Sequence, residues 1–279
     1  MRCQQFSIKE TLSDPFGGFV SLDARLTVYL VENTLEIDAS RLHPMVLICP
    51  GGGYTMTSDR EAEPVALAFL AQGIHAAVLR YTVSPNGYFP AQLFEAARAV
   101  EIIRAHAEEW YCNTEQVVLC GFSAGGHLAA SYATLWDHGF LSGALGCCAE
   151  MLRPDGAILC YPAITTDAFA HRNSFEALLG KRAGDVELLR LISAEKQVGR
   201  GTPPMFIWHT FADETVPVEN ALKMADALVE HRIPVELHIF PKGGHGLSLC
   251  DERTTAVPAG LQRDCAIWID MAVRWIWEL

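Results

Sequence analysis

The chain has 279 residues, half of them hydrophobic and 19% charged, so it can bury a large core and extended disorder is excluded. Its 21 Lys and Arg against 33 Asp and Glu leave a formal net charge of -12, which repels phosphate backbones and anionic bilayers and argues against nucleic acid or a membrane as partner. Nine cysteines occur without CxxC, HExxH or any other metal-type spacing, so reduced thiols are expected, with no metal.

The opening decapeptide carries Arg2 but no apolar stretch behind it, and the longest clean apolar run, Val65 to Ala71, is far too short to span a bilayer. A cytoplasmic protein is the expectation. Arg25 to Val31 has strand character, and Met45 to Cys49 is a buried strand running into the glycine loop Pro50-Gly51-Gly52-Gly53. A helix is predicted over Arg60–Gln72, ended by Gly73, then a strand over Ile74–Arg80 and a turn-rich loop at 84–87. A long periodic helix follows over Ala91–Glu109. Val117–Cys120 is the next strand and Ala124–Trp136 the next helix. Strands at Gly156–Tyr161, Met205–His209 and Val235–Phe240 and helices near Val218–His231 and Leu261–Glu278 complete the alternation.

Strands alternating with helices over this length imply an α/β fold with a parallel, doubly wound sheet in one domain, residues 1–279. Residues 163–202 break the rhythm and are expected to form a cap or lid over the carboxyl edge of the sheet. The aromatic C-terminal helix has a face suited to its own sheet or to a twin subunit, which would make a homodimer.

Three stretches carry chemistry. Gly121-Phe122-Ser123-Ala124-Gly125 is a Gly-x-Ser-x-Gly sequence set between a strand and a helix, where small neighbours permit a tight turn that projects the hydroxyl. The five-residue pattern is weak alone, and its strand–helix setting gives it weight. A serine hydroxyl needs a base, and His245, on a glycine-flanked loop after the last strand, is better placed than His127 one helical turn from the serine or His209 within a buried strand. Asp213, just past a strand end, completes the order Ser, Asp, His and would fix the imidazole. Its neighbour Glu214 is the rival, and a solvated acidic turn is the plain alternative for both. The oxyanion of the reaction requires backbone donors. Ala124 supplies one, and Gly52 or Gly53 the other.

These residues resemble the α/β-hydrolase esterase/lipase family, and more narrowly its bacterial acetyl-esterase, acetylxylan-esterase-like branch. The likeness runs through Pro50 to Tyr54, Arg60-Glu61-Ala62-Glu63-Pro64, Gly121 to Ala129, Asp213 to Val218 and Gly244-His245-Gly246. It implies an eight-stranded, mostly parallel sheet and hydrolysis of short acyl esters, acetyl groups on sugars among them, through an acyl-enzyme and without a cofactor. The substrate would be a small ester or an acetylated carbohydrate. Apart from the resemblance, Tyr54, Tyr88 and Phe89 could line its pocket or equally cover core, the commoner fate of aromatics. Where many relatives carry His-Gly-Gly, this chain has Cys49-Pro50 before its glycines, which leaves the donating glycine open. An amidase or peptidase using the same triad (arylformamidase-like or oligopeptidase-like) is the first alternative. An acyltransferase and a silent binding scaffold follow.

Overall fold

A computed structural model describes all 279 residues. Eight strands, β1 (Arg2–Ser13), β2 (Phe19–Leu30), β3 (His43–Cys49), β4 (His75–Arg80), β5 (Cys112–Phe122), β6 (Gly156–Cys160), β7 (Met205–Thr210) and β8 (Val235–Phe240), form one sheet in the order β1-β2-β4-β3-β5-β6-β7-β8. Strands β3 to β8 run parallel, while β1 and β2 add an antiparallel ribbon at one edge. The helices are α1 (Glu63–Leu70), α2 (Ala91–Ala105), α3 (Ala107–Trp110), α4 (Ala124–Leu135), α5 (Gly139–Leu145), α6 (Arg172–Leu179), α7 (Val186–Ile192), α8 (Glu219–Glu230), α9 (Arg263–Ala266) and α10 (Trp268–Glu278).

The two-residue period of the strands divides the core between two faces. Met45, Leu47 and Cys49 of β3 pack with the buried sides of α2, α4 and α8. Val46 and Ile48, pointing the other way, pack with Phe69 of α1 and Trp268 of α10. Trp268 stacks on Trp208 of β7 at 5.5 Å between ring centroids, fixing α10 to the sheet. The C-terminal helix therefore spends its apolar face on its own chain. No helix is long and apolar enough to cross a membrane.

Four elements differ from the sequence reading. Strand β1 was not anticipated, because it alternates around Ile8 with Gln, Lys and Glu and lies at the sheet edge, where Lys9 pairs with Asp23 of β2 at 3.1 Å. The helix predicted over 60–72 begins only at Glu63, with Pro64 in its first turn, which frees Arg60 and Glu61 for other partners. The helix predicted over 91–109 breaks at His106, and Tyr111, at φ 54°, ends the short α3 behind it. The helix predicted over 261–278 is two pieces separated at Ile267.

Residues 163–202 hold α6, α7 and short 3-10 turns, packed on the sheet's helices rather than standing apart. The amide side chain of Asn220 on α8 accepts from Ile164 N and Thr165 N at 2.8 and 3.1 Å and donates to Phe169 O at 3.0 Å. From α4, His127 Nε2 lies 2.7 Å from Ile192 O, and its Nδ1 lies 2.7 Å from the Tyr54 hydroxyl. A carbonyl only accepts, so Nε2 carries the proton and Nδ1 accepts from Tyr54. This ring joins the helix, the glycine loop and the 163–202 segment.

Burial holds His127 down to about 4, against an ordinary value of 6.5. As pH falls the unfolded chain takes up this proton first, so the associated stability is whole above about 6.5 and is lost progressively towards 4. The urea unfolding midpoint is expected to drop across that interval, and to drop less in His127→Gln. Equal acid slopes for the two proteins would contradict this role for the ring.

Candidate active site

The sheet order reverses at β3: the chain leaves β3 for β4 on one side, then returns across it to β5 on the other. Ligands of open α/β sheets gather at such a point, beyond the carboxyl ends of the strands. Here β3 runs into Pro50-Gly51-Gly52-Gly53 and β5 runs into Ser123.

Ser123 sits between β5 and α4 at φ 53° and ψ −117°, a conformation that L residues rarely adopt. Three backbone hydrogen bonds hold it: its N–H donates to Cys160 O at 3.0 Å, and its carbonyl accepts from His127 N at 3.0 Å and Ala163 N at 3.2 Å. The turn also requires bare neighbours. A Cβ on Gly125 would collide with the carbonyls of Cys49 and Pro50, and one on Gly121 with the carbonyl of Gly125.

The loop after β8 returns His245 to this turn. Its Nε2 lies 2.7 Å from Ser123 Oγ, and its Nδ1 lies 2.7 Å from Asp213 Oδ2. Asp213, on the loop after β7, has a fully buried side chain, whereas the His245 side chain keeps 18% of its surface exposed. The carboxylate is well supplied with donors. Oδ1 accepts from Thr215 N at 2.9 Å and Val216 N at 3.0 Å, while His209 Nε2 approaches Oδ2 at 3.4 Å. Burial alone would raise the Asp213 pKa, but the donors from His209, His245 and Val216 outweigh it and hold the carboxyl below its usual range. An ionised Asp213 makes His245 Nδ1 the donor, so Nε2 is left to accept the serine proton. Glu214 is exposed and takes no part.

The backbone amides of the corner divide by partner. The Gly51 N–H donates to Glu61 Oε2 at 2.8 Å, while those of Gly52, Gly53 and Ala124 have no acceptor in the protein. The Ala124 amide directly follows Ser123, and the glycine loop packs against the serine, a Cβ on Gly51 standing 3.0 Å from Ser123 Cβ.

Of the three aromatics open to pocket or core, two take the core. Tyr54 is 1% exposed and spends its hydroxyl on His127, and Phe89, 4% exposed, packs against Phe16. Both are core. Tyr88 is partly exposed, with its ring against Gly180 of the 163–202 segment. Residues that the sequence reading passed over stand closer. His171 and Ser174, at the start of α6, are joined at 2.7 Å between Nδ1 and Oγ, and the Ser174 hydroxyl faces Gly53. Burial lowers the His171 pKa, and the charges of His245 and Asp213 act on it as well. Nothing in the spacing of His171 marked it, because its place depends on how the 163–202 segment folds back.

The family model described as BD-FAE matches residues 33–228. The chain belongs to the BD-FAE family. Endo-1,4-beta-xylanase B of Butyrivibrio fibrisolvens is 39% identical over 218 residues, 74% of this chain and 33% of that protein. The acetylxylan esterase of Xylanibacter ruminicola is 32% identical over 202 residues, 71% of this chain and 39% of its own length. The chain thus spans between a third and two fifths of these curated relatives. Among solved structures, the acetyl ester-xyloside bifunctional hydrolase of Caldicellulosiruptor lactoaceticus superposes with a TM-score of 0.76 at 36% identity, covering 95% of this chain and 90% of that one. The eight-stranded sheet and this likeness give the BD-FAE chain the α/β-hydrolase fold.

Proposed function

We propose that this protein is a serine carboxylesterase that hydrolyses short-chain acyl esters, acetyl esters of sugars foremost, through Ser123, His245 and Asp213. The observation that carries the reading is the unbroken relay from serine hydroxyl to imidazole to buried carboxylate, 2.7 Å at each step, beside amides that lack acceptors. Kinship with proteins named for acetyl-ester and acetylxylan hydrolysis supports the acetyl group and the sugar.

In the proposed reaction His245 Nε2 takes the Ser123 proton as the hydroxyl oxygen attacks the ester carbonyl. The carbonyl oxygen becomes an oxyanion held by the N–H of Ala124 and that of Gly52 or Gly53. Asp213, ionised and immobile, stabilises the imidazolium that forms. The alcohol leaves with the proton from His245, the acyl group stays on Ser123, and a water molecule repeats the two steps to release the acid. His171, on the 163–202 segment in the role of a cap, stands near enough to His245 and Asp213 for their charges to act on it. Its Nε2 has no partner in the protein and suits a sugar hydroxyl.

Against p-nitrophenyl acetate, Ser123→Ala and Asp213→Asn should each lose on the order of 10⁴-fold in kcat/KM, while Glu214→Gln stays within about twofold of the parent. An Asp213→Asn protein with near-parental turnover would overturn the assignment of the acid. Along the series from acetate to octanoate, kcat/KM should be highest at the short end, and it should exceed that for an anilide of the same acyl group. A preference for octanoate or for the anilide would replace this substrate class.

A further inference from the structure

We infer that Glu61 is a positioning residue for the reaction proposed above: its buried carboxylate ties the glycine loop to the loop carrying His245 and sets a second negative charge beside the imidazole. The inference rests on the serine-esterase reading and extends it to a residue outside the relay.

Glu61 lies in the stretch Arg60–Ala62 that fails to become helix, and it is 3% exposed. Its Oε2 accepts from Gly51 N, and its Oε1 accepts from the Tyr161 hydroxyl, each at 2.8 Å. That hydroxyl in turn accepts from Ser248 N at 2.8 Å. Arg60, next in the chain, holds the histidine loop directly. Its carbonyl accepts from Ser248 Oγ at 2.7 Å, and its guanidinium donates to Gly246 O. Gly246 and Ser248 lie one and three positions after His245, so the histidine loop is gripped just beyond the ring.

Contact with the reacting groups is close on both flanks. A Cβ on Gly51 would stand 2.7 Å from Glu61 Oε2 and 3.0 Å from Ser123 Cβ, so only the bare glycine separates carboxylate from serine. The Tyr161 ring meets the His245 ring edge-on, 5.2 Å between centroids. Tyr161 and Ser248 have φ of 37° and 53°, conformations that persist only when neighbours hold them.

The donor pattern suits an anion. Gly51 N–H can only donate, and Tyr161, already accepting from Ser248, has its own proton to give. Burial pushes the Glu61 pKa up, while the Tyr161 and Gly51 hydrogen bonds and the charges of His245 and Arg60 pull it back; burial prevails in part. Around His245 the charged and titratable groups are Asp213 beneath it with His209 behind that carboxylate, Glu61 and Tyr161 to one side, the Arg60 guanidinium at Gly246 O and His171 from α6. Tyr81, whose hydroxyl donates to Pro50 O at 2.6 Å, also faces Glu61 and braces the same loop.

The test is steady-state hydrolysis of p-nitrophenyl acetate by Glu61→Gln across pH, with Tyr161→Phe and Ser123→Ala alongside and thermal unfolding of each. Glu61→Gln is expected to lower kcat by about ten- to a hundredfold with a much smaller change in KM. It is also expected to move the acid limb of kcat/KM to lower pH, because the imidazolium loses a neighbouring anion. Tyr161→Phe, which keeps the buried ring and removes the link, should lower kcat by less, and it decides the matter if Glu61→Gln does not fold. A folded Glu61→Gln with parental kcat, or with lower kcat and an unmoved acid limb, overturns the inference. An inactive Ser123→Ala beside an unaltered Glu61→Gln overturns it alone, whereas a fully active Ser123→Ala removes the serine reading and this inference together.

Discussion

At the carboxyl ends of β3 and β5 the backbone of Gly125 lies against the carbonyl oxygens of Cys49 and Pro50, closer than any side chain would allow. That contact lets the first turn of α4 press into the glycine loop, so that Ser123 is delivered next to free amides. The neighbouring order of β3 and β5 in the sheet makes the approach obligatory, and the glycines make it sterically permissible. Everything else at the site is arranged around this junction. The loops after β7 and β8 carry Asp213 and His245 to it, and the stretch before α1 bonds to the glycine and histidine loops.

The electrostatic design separates two buried carboxylates by their surroundings. Asp213 is held below the usual carboxylate range by its histidine and amide donors, so it is a fixed negative charge under the imidazole. Glu61, with fewer donors and complete burial, is shifted the other way. Both face the same ring, one through a direct hydrogen bond and one across Tyr161. An imidazole that takes up positive charge is stabilised by an anion such as Asp213, which need not reorganise as charge develops.

Much of this was legible in the sequence, for particular physical reasons. Strands β3 to β7 announced themselves because parallel strands buried on both faces read as continuous apolar runs, whereas the half-buried edge strand β8 shows in the alternation of Val235, Leu237 and Ile239 with Glu236 and His238. The elbow, the acid and the histidine were legible because each follows a strand end and carries small or turn-forming neighbours. The edge strand β1 was hidden by its exposed polar alternation. Of the aromatics open to pocket or core, Tyr54 and Phe89 belong to the core, a choice that spacing alone does not decide. His171 and Glu61 were unreadable for another reason: each acts through partners far away in the chain, in a folded-back segment or a non-helical turn. Arg60-Glu61 did stand out within the family likeness, yet only coordinates link it to Gly51, Tyr161 and Ser248.

The central claim is that Ser123 is a nucleophile activated by His245. Intact-protein mass spectrometry after exposure to a fluorophosphonate tests it most directly. One covalent adduct is expected, mapping to the peptide that contains Ser123 and forming far more slowly in His245→Ala. An unmodified protein, or an adduct on a different residue, would contradict the account.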